Sequence, residues 1–344
     1  MKVLVVTKKY GDGFTGATSA TYALIEQWKN MNIEIIVYTL NIVGKTNDEI
    51  KIYKFNHLKE LITSLKKIVS KKEKIMGYSD DHLGFLFRIA SMKYIHTYHG
   101  NWPDAMFNAG FGGLIRGIWF IPLYGLTIAL SQKTINVSKY MLRFTKKFNH
   151  NCIVIRNGIG LGKSNVVKRR YLLQKSTLKV VMVGGIDQRK YGYLPKVLHA
   201  INPSLSPKIQ IYIYGSIHDQ ELGNVLKTYT NIKIMGFVDE VPYKDYDILL
   251  TTSKSENLSV AVVEALASGI PVFGFEVGGL PEIVINGELG ELVPLKSYLN
   301  LVKTLETLAT TGEILNFDNS KIISDFSWKK AAESYSTYFM EERC

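Results

Sequence analysis

Two glutamates, Glu256 and Glu264, are separated by seven residues in "SKSENLSVAVVEALASGIPVFGFEVGGLPEIV", residues 253–284. Ser259 is a good N-cap type for the apolar run "VAVVEALA", and Gly269 with Pro271 supplies the stop. This pattern predicts a helix over 260–267. Glu256 then lies in the loop before the helix, and Glu264 projects from its second turn. The N–H groups around Leu258 and Ser259 form the positive end of that helix. A diphosphate fits there. The two carboxylates would flank it and accept charge-assisted hydrogen bonds from vicinal hydroxyls of a ribose or a hexose. Two helical glutamates alone are solvated side chains; here the whole stretch fits a site, including "GGLPEIV".

A second candidate is glycine-rich. "YGDGFTGATSA", residues 10–20, places Gly11, Gly13 and Gly16 in the G-x-G-x-x-G spacing of a dinucleotide-binding turn. That turn needs its first glycine directly after a strand and an acid at the end of the next strand. Here Lys8, Lys9 and Tyr10 intervene after "VLVV", and the second strand ends "YTLN". A nicotinamide cofactor is therefore not expected. What survives is a loop ending at Gly16, with Ala17, Thr18 and Ser19 opening a helix that presents N–H groups to an anion. Gly11 and Gly13 would give that loop room to move. A bland tight turn is the competing reading.

The elements that must position these residues alternate regularly. Short β-branched runs at 2–7, 33–39, 74–79, 93–99, 133–138 and 152–158 read as strands, with a helix over 17–30. Residues 160–178 are polar and basic and read as a linker. The alternation restarts at 179–185, 208–216, 232–237, 246–253 and 270–275. Near-continuous apolar strands separated by helices imply parallel sheets covered on both faces. The expected architecture is α/β, two doubly wound Rossmann-like domains in tandem facing a cleft, with the ligand at the strand C-terminal ends. The boundary is placed at 163/164: residues 1–163 form the first domain and 164–325 the second.

Composition narrows the partners. The 344 residues are 46% hydrophobic and carry a formal charge of +12. Residues 1–163 hold 23 Lys+Arg against 10 Asp+Glu, whereas 164–344 hold 19 against 20. A basic first half suggests an anionic partner there. Its basic residues follow no nucleic-acid reading motif, so nucleic acid is not expected. The two cysteines, Cys152 and Cys344, show no metal-ligand spacing and no disulfide framework, which implies a reducing compartment. The apolar run near the N-terminus is too short for a signal peptide. Two segments could meet a membrane surface. Residues 58–72 read as an amphipathic helix with Leu58, Leu61, Ile62, Leu65, Ile68 and Val69 largely on one face. Lys59, Lys66, Lys67, Lys71 and Lys72 lie around the other. The alternative is an outer helix whose apolar side packs on the sheet. Residues 111–130 are 20 residues long with Arg116 as their only charge; Pro122 and four glycines favour a buried or interfacial helix over a span.

Taken in order, "E-x7-E" with "EALASGIPV", "GGLPEIV" and "NGELGELV" resembles the GT-B glycosyltransferases, specifically the large family-4 group of retaining enzymes. "VSKYM" with "VIRNGI" is similar to that family's end of the first domain. "FSWKKAAESYSTYF", 326–339, is similar to its final helix, so the chain from 326 to 344 is expected to pack back on the first domain. The resemblance implies that Glu256 contacts donor-sugar hydroxyls and that Glu264 binds the nucleotide ribose. It implies that backbone at Asn257, Leu258 and Ser259 holds the diphosphate, that Val238 in "GFV" contacts the base, and that Gly16 faces the diphosphate from the first domain. His99 in "HTYHG" matches the family's active-site histidine, while His96 reads as structural. Many members carry "GR" and then "KG" after the first strand of the second domain. Here "VGGIDQRKYG" places Gly185 where that arginine often stands, and Tyr191 separates Lys190 from Gly192. Arg189 and Lys190 remain as an adjacent cation pair for the leaving diphosphate.

The implied reaction moves a sugar from a nucleoside-diphosphate sugar to an acceptor hydroxyl with retention. The cations and helix end stabilise the leaving group, so no metal and no further cofactor are expected, and domain closure excludes water. "DYD", Asp245 to Asp247, reads as a lead into a strand rather than a metal site. "NVS" and "NLS" fall in core motifs and are not read as glycosylation acceptors. The acceptor is expected to be a glycan or a glycolipid such as a lipid-linked sugar, met by the first domain at an anionic membrane surface. Location is expected to be cytoplasmic or peripheral on the cytoplasmic membrane face. A sugar-nucleotide epimerase of similar fold and a non-catalytic donor-binding subunit are the alternatives.

Overall fold

The β-branched runs of the first half pair side by side in one sheet. Its strands are β1 (Lys2–Tyr10), β2 (Glu34–Ile42), β3 (Lys51–Lys54), β4 (Ile75–Ser79), β5 (Tyr94–Tyr98), β6 (Lys133–Asn136) and β7 (Cys152–Val154). They lie in the order β3-β2-β1-β4-β5-β6-β7, and every pairing is parallel. This computed structural model describes residues 1–13, 16–70, 74–108, 110–160 and 165–341. It divides into two units. The first comprises Met1–Pro103, Ile115–Gly158 and the chain from Phe326 on; the second comprises Asp104–Leu114 and Ile159–Asp325. The boundary placed at 163/164 lies outside the described residues.

β1 is covered on both faces because its side chains alternate between two cores. Val3 and Val5 pack with Trp28, Tyr78, Tyr335 and Phe339. Leu4 and Val6 pack with Leu61, Leu65, Phe87 and Tyr94. The first core includes the terminal helix Trp328–Glu341, which lies on the helix Gly16–Asn30. Trp28 meets Tyr335 and Phe339 edge-on at 5.5 and 4.9 Å. Thr97 and Tyr335 share a buried 2.8 Å hydrogen bond. Residues 342–344, Cys344 among them, lie outside the described residues.

The second unit repeats the plan. β8 (Lys168–Leu173) precedes β9 (Leu178–Val183), β10 (Ile209–Tyr214), β11 (Ile232–Gly236), β12 (Ile248–Thr251), β13 (Val272–Glu276) and β14 (Gly290–Pro294), with β15 (Glu313–Asp318) last. Six of these form a parallel sheet in the order β11-β10-β9-β12-β13-β14. Both sheets thus reverse strand order beside their first strand, between β1 and β4 and between β9 and β12.

The structure corrects two expectations. Residues 168–173, read as linker, form β8, which pairs antiparallel with β15; Leu173, Leu315 and Phe317 are all buried. The partner strand lies some 140 residues away, which a local reading of composition cannot see. Gly11 does not loosen its loop. A Cβ there would fall 1.8 Å from the Val43 carbonyl oxygen, and Asp12 N–H donates to Lys45 O at 2.8 Å. Gly13 N–H donates to Ser19 Oγ at 3.2 Å, and a Cβ there would meet open space. Phe14 and Thr15, within the same motif, lie outside the described residues.

The two membrane candidates part company. The helix Leu58–Ser70 buries Leu61 and Leu65, with Ile62, Ile68 and Val69 packed beside them on the sheet. Lys59, Lys66 and Lys67 face out, together with Leu58, Glu60 and Thr63; Lys71 and Lys72 lie outside the described residues. The helix Gly110–Leu130 instead leaves Ile115, Ile118, Trp119 and Leu126 exposed, while Ile121, Tyr124 and Ile128 pack on Tyr98, Met141 and Phe144.

Candidate active site

The loops leaving β9 and β12 carry the chemistry of the second unit, one on each side of its reversal point. After β9, Asp187 closes a turn: its Oδ1 accepts from Lys190 N–H at 2.8 Å, and its carbonyl accepts from Tyr191 N–H at 2.9 Å. After β12, Lys254 N–H donates to Arg189 O at 2.8 Å, and Thr252 Oγ1 donates to Lys190 O at 3.0 Å. The two loops are therefore laced together by backbone contacts before any side-chain charge is considered.

Glu256 sits where they meet and is 9% exposed. Its Oε1 lies 3.3 Å from Arg189 Nη1, 3.8 Å from Lys190 Nζ and 3.0 Å from the donating Ser253 Oγ. Burial opposes ionisation of this carboxyl. Lys190, Arg189 and the Ser253 hydroxyl outweigh burial and hold it below its ordinary range. Arg189 is itself fixed by a 2.8 Å hydrogen bond to Ser255 O. The insertion of Tyr191 does not separate the cations from the site. Tyr191 turns into the core, 1% exposed, with its hydroxyl on Gly184 O, and both cations converge on Glu256. Gly185 is consistent with its surroundings, since a Cβ there would meet the His218 ring at 2.9 Å.

The helix forms over Val260–Ala267 as the spacing predicts, with Ser259 at the N-cap position. The Ser259 hydroxyl makes no capping hydrogen bond, so the first N–H groups of the helix are left without an intrahelical acceptor. Asn257 and Ser259 are buried in the preceding loop, and Asn257 O accepts from Gly279 N–H at 2.9 Å. "GG" in "GGLPEIV" is needed for that approach. Gly278 has φ +58° and any Cβ would fall 1.6 Å from Glu256 O.

Glu264 points elsewhere, into a pocket of about 910 Å³ that also exposes Val238, Tyr243, Asp245 and Ser268. Tyr243 is buried and donates from its hydroxyl to Glu264 Oε2 at 2.8 Å. Burial raises the Glu264 carboxyl above its ordinary value, and the Tyr243 hydrogen bond opposes that rise. The structure thus brings Val238 and Glu264 to one pocket, and Arg189, Lys190 and Glu256 to one ion cluster. Asp247 is used locally: it accepts from Lys179 N–H at 2.8 Å and pairs with Lys175 at 2.9 Å. Among the described residues no group of three or more His, Cys, Asp or Glu side chains is arranged as metal ligands would be.

In the first unit Gly16 opens the helix Gly16–Asn30 after β1 and is exposed. His99 follows β5 directly and is partly buried. Asn157 Nδ2 lies 3.4 Å from its Nδ1. Burial lowers the His99 pKa to about 4, so the ring is neutral near pH 7. His96 is fully buried with Nδ1 2.9 Å from Ser79 Oγ, as a structural residue should be. Sequence reading missed Ser253, Tyr243, Asp187 and Asn157. Asp187 had a local signal, the Asx-turn spacing ahead of Lys190. The other three act through contacts the sequence does not display.

Known proteins share this arrangement of elements. The structure of Anabaena Alr3699/HepE in complex with UDP-glucose superposes with a TM-score of 0.72 at 14% identity, covering 99% of this chain and 100% of that one. The fold is therefore that of the GT-B glycosyltransferases. Residues 177–311 match the family model described as Glycosyl transferases group 1. An uncharacterized 41.2 kDa protein in the cps region of Klebsiella pneumoniae is 31% identical over 141 residues, 39% of this chain and 38% of its own length. The D-inositol 3-phosphate glycosyltransferase of Corynebacterium efficiens is 30% identical over 132 residues, 33% of this chain and 31% of its own. The chain thus spans between three and four tenths of the length of these relatives. The match to the group-1 glycosyl transferases lies within the second unit and covers about four tenths of the chain.

Proposed function

We propose that the chain is a retaining glycosyltransferase. It moves a sugar from a nucleoside-diphosphate sugar to a hydroxyl of a glycan or glycolipid acceptor presented at a membrane surface. The observation that carries this reading is the buried Glu256 carboxylate, held ionised by Arg189 and Lys190 beside an uncapped helix end. Carboxylate, cations and helix N-terminal N–H groups are the three things a sugar diphosphate needs at its glycosidic end. Glu264 and the pocket at Val238 suit a ribose and base, and the Anabaena protein, which holds UDP-glucose on the same fold, supports that choice of donor class.

In this reading Glu256 accepts hydrogen bonds from sugar hydroxyls. Arg189, Lys190, Gly16 and the N–H groups near Asn257, Leu258 and Ser259 take up the charge that develops on the diphosphate. The anomeric C–O bond to the phosphate breaks and a bond to the acceptor oxygen forms on the same face. The acceptor proton passes to the departing phosphate oxygen. His99, neutral, offers a hydrogen bond to the donor sugar or its incoming partner. The fixed cations supply the stabilisation a metal would otherwise give. To the first unit, basic by composition, falls the acceptor.

Purified protein given a nucleoside-diphosphate sugar and a glycan acceptor tests this. His99→Ala and Lys190→Ala are each expected to lower turnover by about a hundredfold, the loss typical of one transition-state donor, with circular dichroism unchanged. Undiminished turnover in both variants contradicts the assigned site.

A further inference from the structure

We infer that the face of the helix Gly110–Leu130 formed by Ile115, Ile118, Trp119, Pro122, Leu126 and Ala129 seats the first unit on an anionic lipid bilayer. The inference rests on the membrane-acceptor reading above and says which surface performs it. Spacings of three and four residues put these six side chains on one stripe of the helix. All six are exposed; Trp119 is 71% and Ile118 59% exposed. The opposite side is committed to the core through Ile121, Tyr124 and Ile128. The stripe is therefore a surplus of apolar surface on an otherwise satisfied helix, with an indole at its centre. An amphipathic aromatic of that kind favours the boundary between head groups and acyl chains.

Charge selects the occupant. Residues 115–158 carry seven Lys and Arg and no Asp or Glu. Part of that charge stands beside the stripe. Asn149 Nδ2 donates to Ile128 O at 3.1 Å, and a Cβ on Gly125 would meet the Phe148 ring at 2.7 Å. The segment 144–149 therefore runs alongside the end of the helix, with Phe148 against Gly125, the residue before Leu126, and with Lys146 and Lys147 exposed in the same segment. Apolar side chains bordered by cations, with no carboxylate in the segment, match anionic head groups over acyl chains. A zwitterionic surface would offer the exposed Lys146 and Lys147 no net counter-charge. The helix Leu58–Ser70 is the contrasting case: all its apolar residues but Leu58 pack in the core, so it offers charge with little to insert.

Flotation of the full chain with vesicles tests the face. Wild type is expected to bind vesicles of 30% phosphatidylglycerol in phosphatidylcholine and to release from pure phosphatidylcholine. The double variant Ile118→Ser, Trp119→Ser is expected to bind at least about tenfold more weakly. Lys146→Gln with Lys147→Gln is expected to weaken binding severalfold at 0.1 M salt and to differ little from wild type at 0.5 M. Lys59→Gln with Lys66→Gln and Lys67→Gln is expected to have a smaller effect than the apolar pair. Wild type that ignores anionic vesicles overturns the inference. So does equal binding by the apolar variant, or loss of binding confined to the Leu58–Ser70 lysines. An apolar variant that changes the oligomeric state while vesicle binding stays intact assigns the stripe to self-association instead. Nucleotide binding by each variant, followed by thermal shift, keeps the failures apart: its absence in wild type sinks the glycosyltransferase reading itself, whereas its retention confines the failure to the docking face.

Discussion

Glu256 is a buried carboxylate and Glu264 a half-buried one, and their surroundings push them in opposite directions. Two cations and a hydroxyl hold Glu256 below its ordinary pKa. Burial raises Glu264, which has one tyrosine hydroxyl to offset it. A carboxylate left with a free oxygen at a pocket wall is suited to accept from a ligand hydroxyl, and Tyr243 fixes which oxygen that is. Tyr243→Phe keeps the ring and removes the hydroxyl. It is expected to raise the donor KM about tenfold with kcat within about twofold, and to add nothing when Glu264 is already Gln. Additive losses in that double-mutant cycle would deny the coupling. The glutamates were readable because the N-cap and stop signals place Glu256 in the loop before the helix and Glu264 on its second turn. Tyr243 was not, since 21 residues and a strand separate it from its partner, and a tyrosine before an acidic pair carries no signal of its own.

At the scale of elements, the strand ends carry what matters. The alternation of apolar runs located eleven of the thirteen parallel strands. β3 escaped because "KIYK" is short and mostly exposed, and β14 because its residues read as motif rather than strand. The ends of β4 and β5 also hold an unusual group of buried titrating residues. Burial, with Asp81 next, pushes the Asp80 carboxyl up to about 7. Its Oδ2 accepts from Thr21 at 2.7 Å, while Oδ1 is buried without a partner. An unfolded aspartate titrates near ~4. Between these values the folded state binds more protons than the unfolded one. The stability this group contributes is therefore full below pH ~4 and is lost as pH rises through about 7. His96 and His99 run the other way. Burial holds them at about 3 and about 4, so their contribution is present above ~6.5 and is lost as pH falls toward those values. Asp80→Asn removes only the first effect. Its melting temperature relative to wild type is expected to be higher at pH 8 than at pH 5 by at least about 3 °C. An equal difference at the two pH values contradicts the assignment.

For the molecule as a whole, charge and chemistry are divided between the units. The ion cluster and the pocket belong to the second, which is also where the family match lies. The exposed apolar helix face belongs to the first, which carries the positive charge. That division was visible in the charge of the two halves, although only packing could decide which of two amphipathic segments keeps its apolar side free. The central claim is that Glu264 and its pocket hold the nucleotide of a sugar donor, and calorimetric titration with the common nucleoside diphosphates tests it most directly. One nucleoside diphosphate is expected to bind wild type at micromolar concentration, and Glu264→Ala is expected to weaken it at least about tenfold. If no nucleoside diphosphate binds wild type at millimolar concentration, or Glu264→Ala binds as tightly as wild type, the site has been misread.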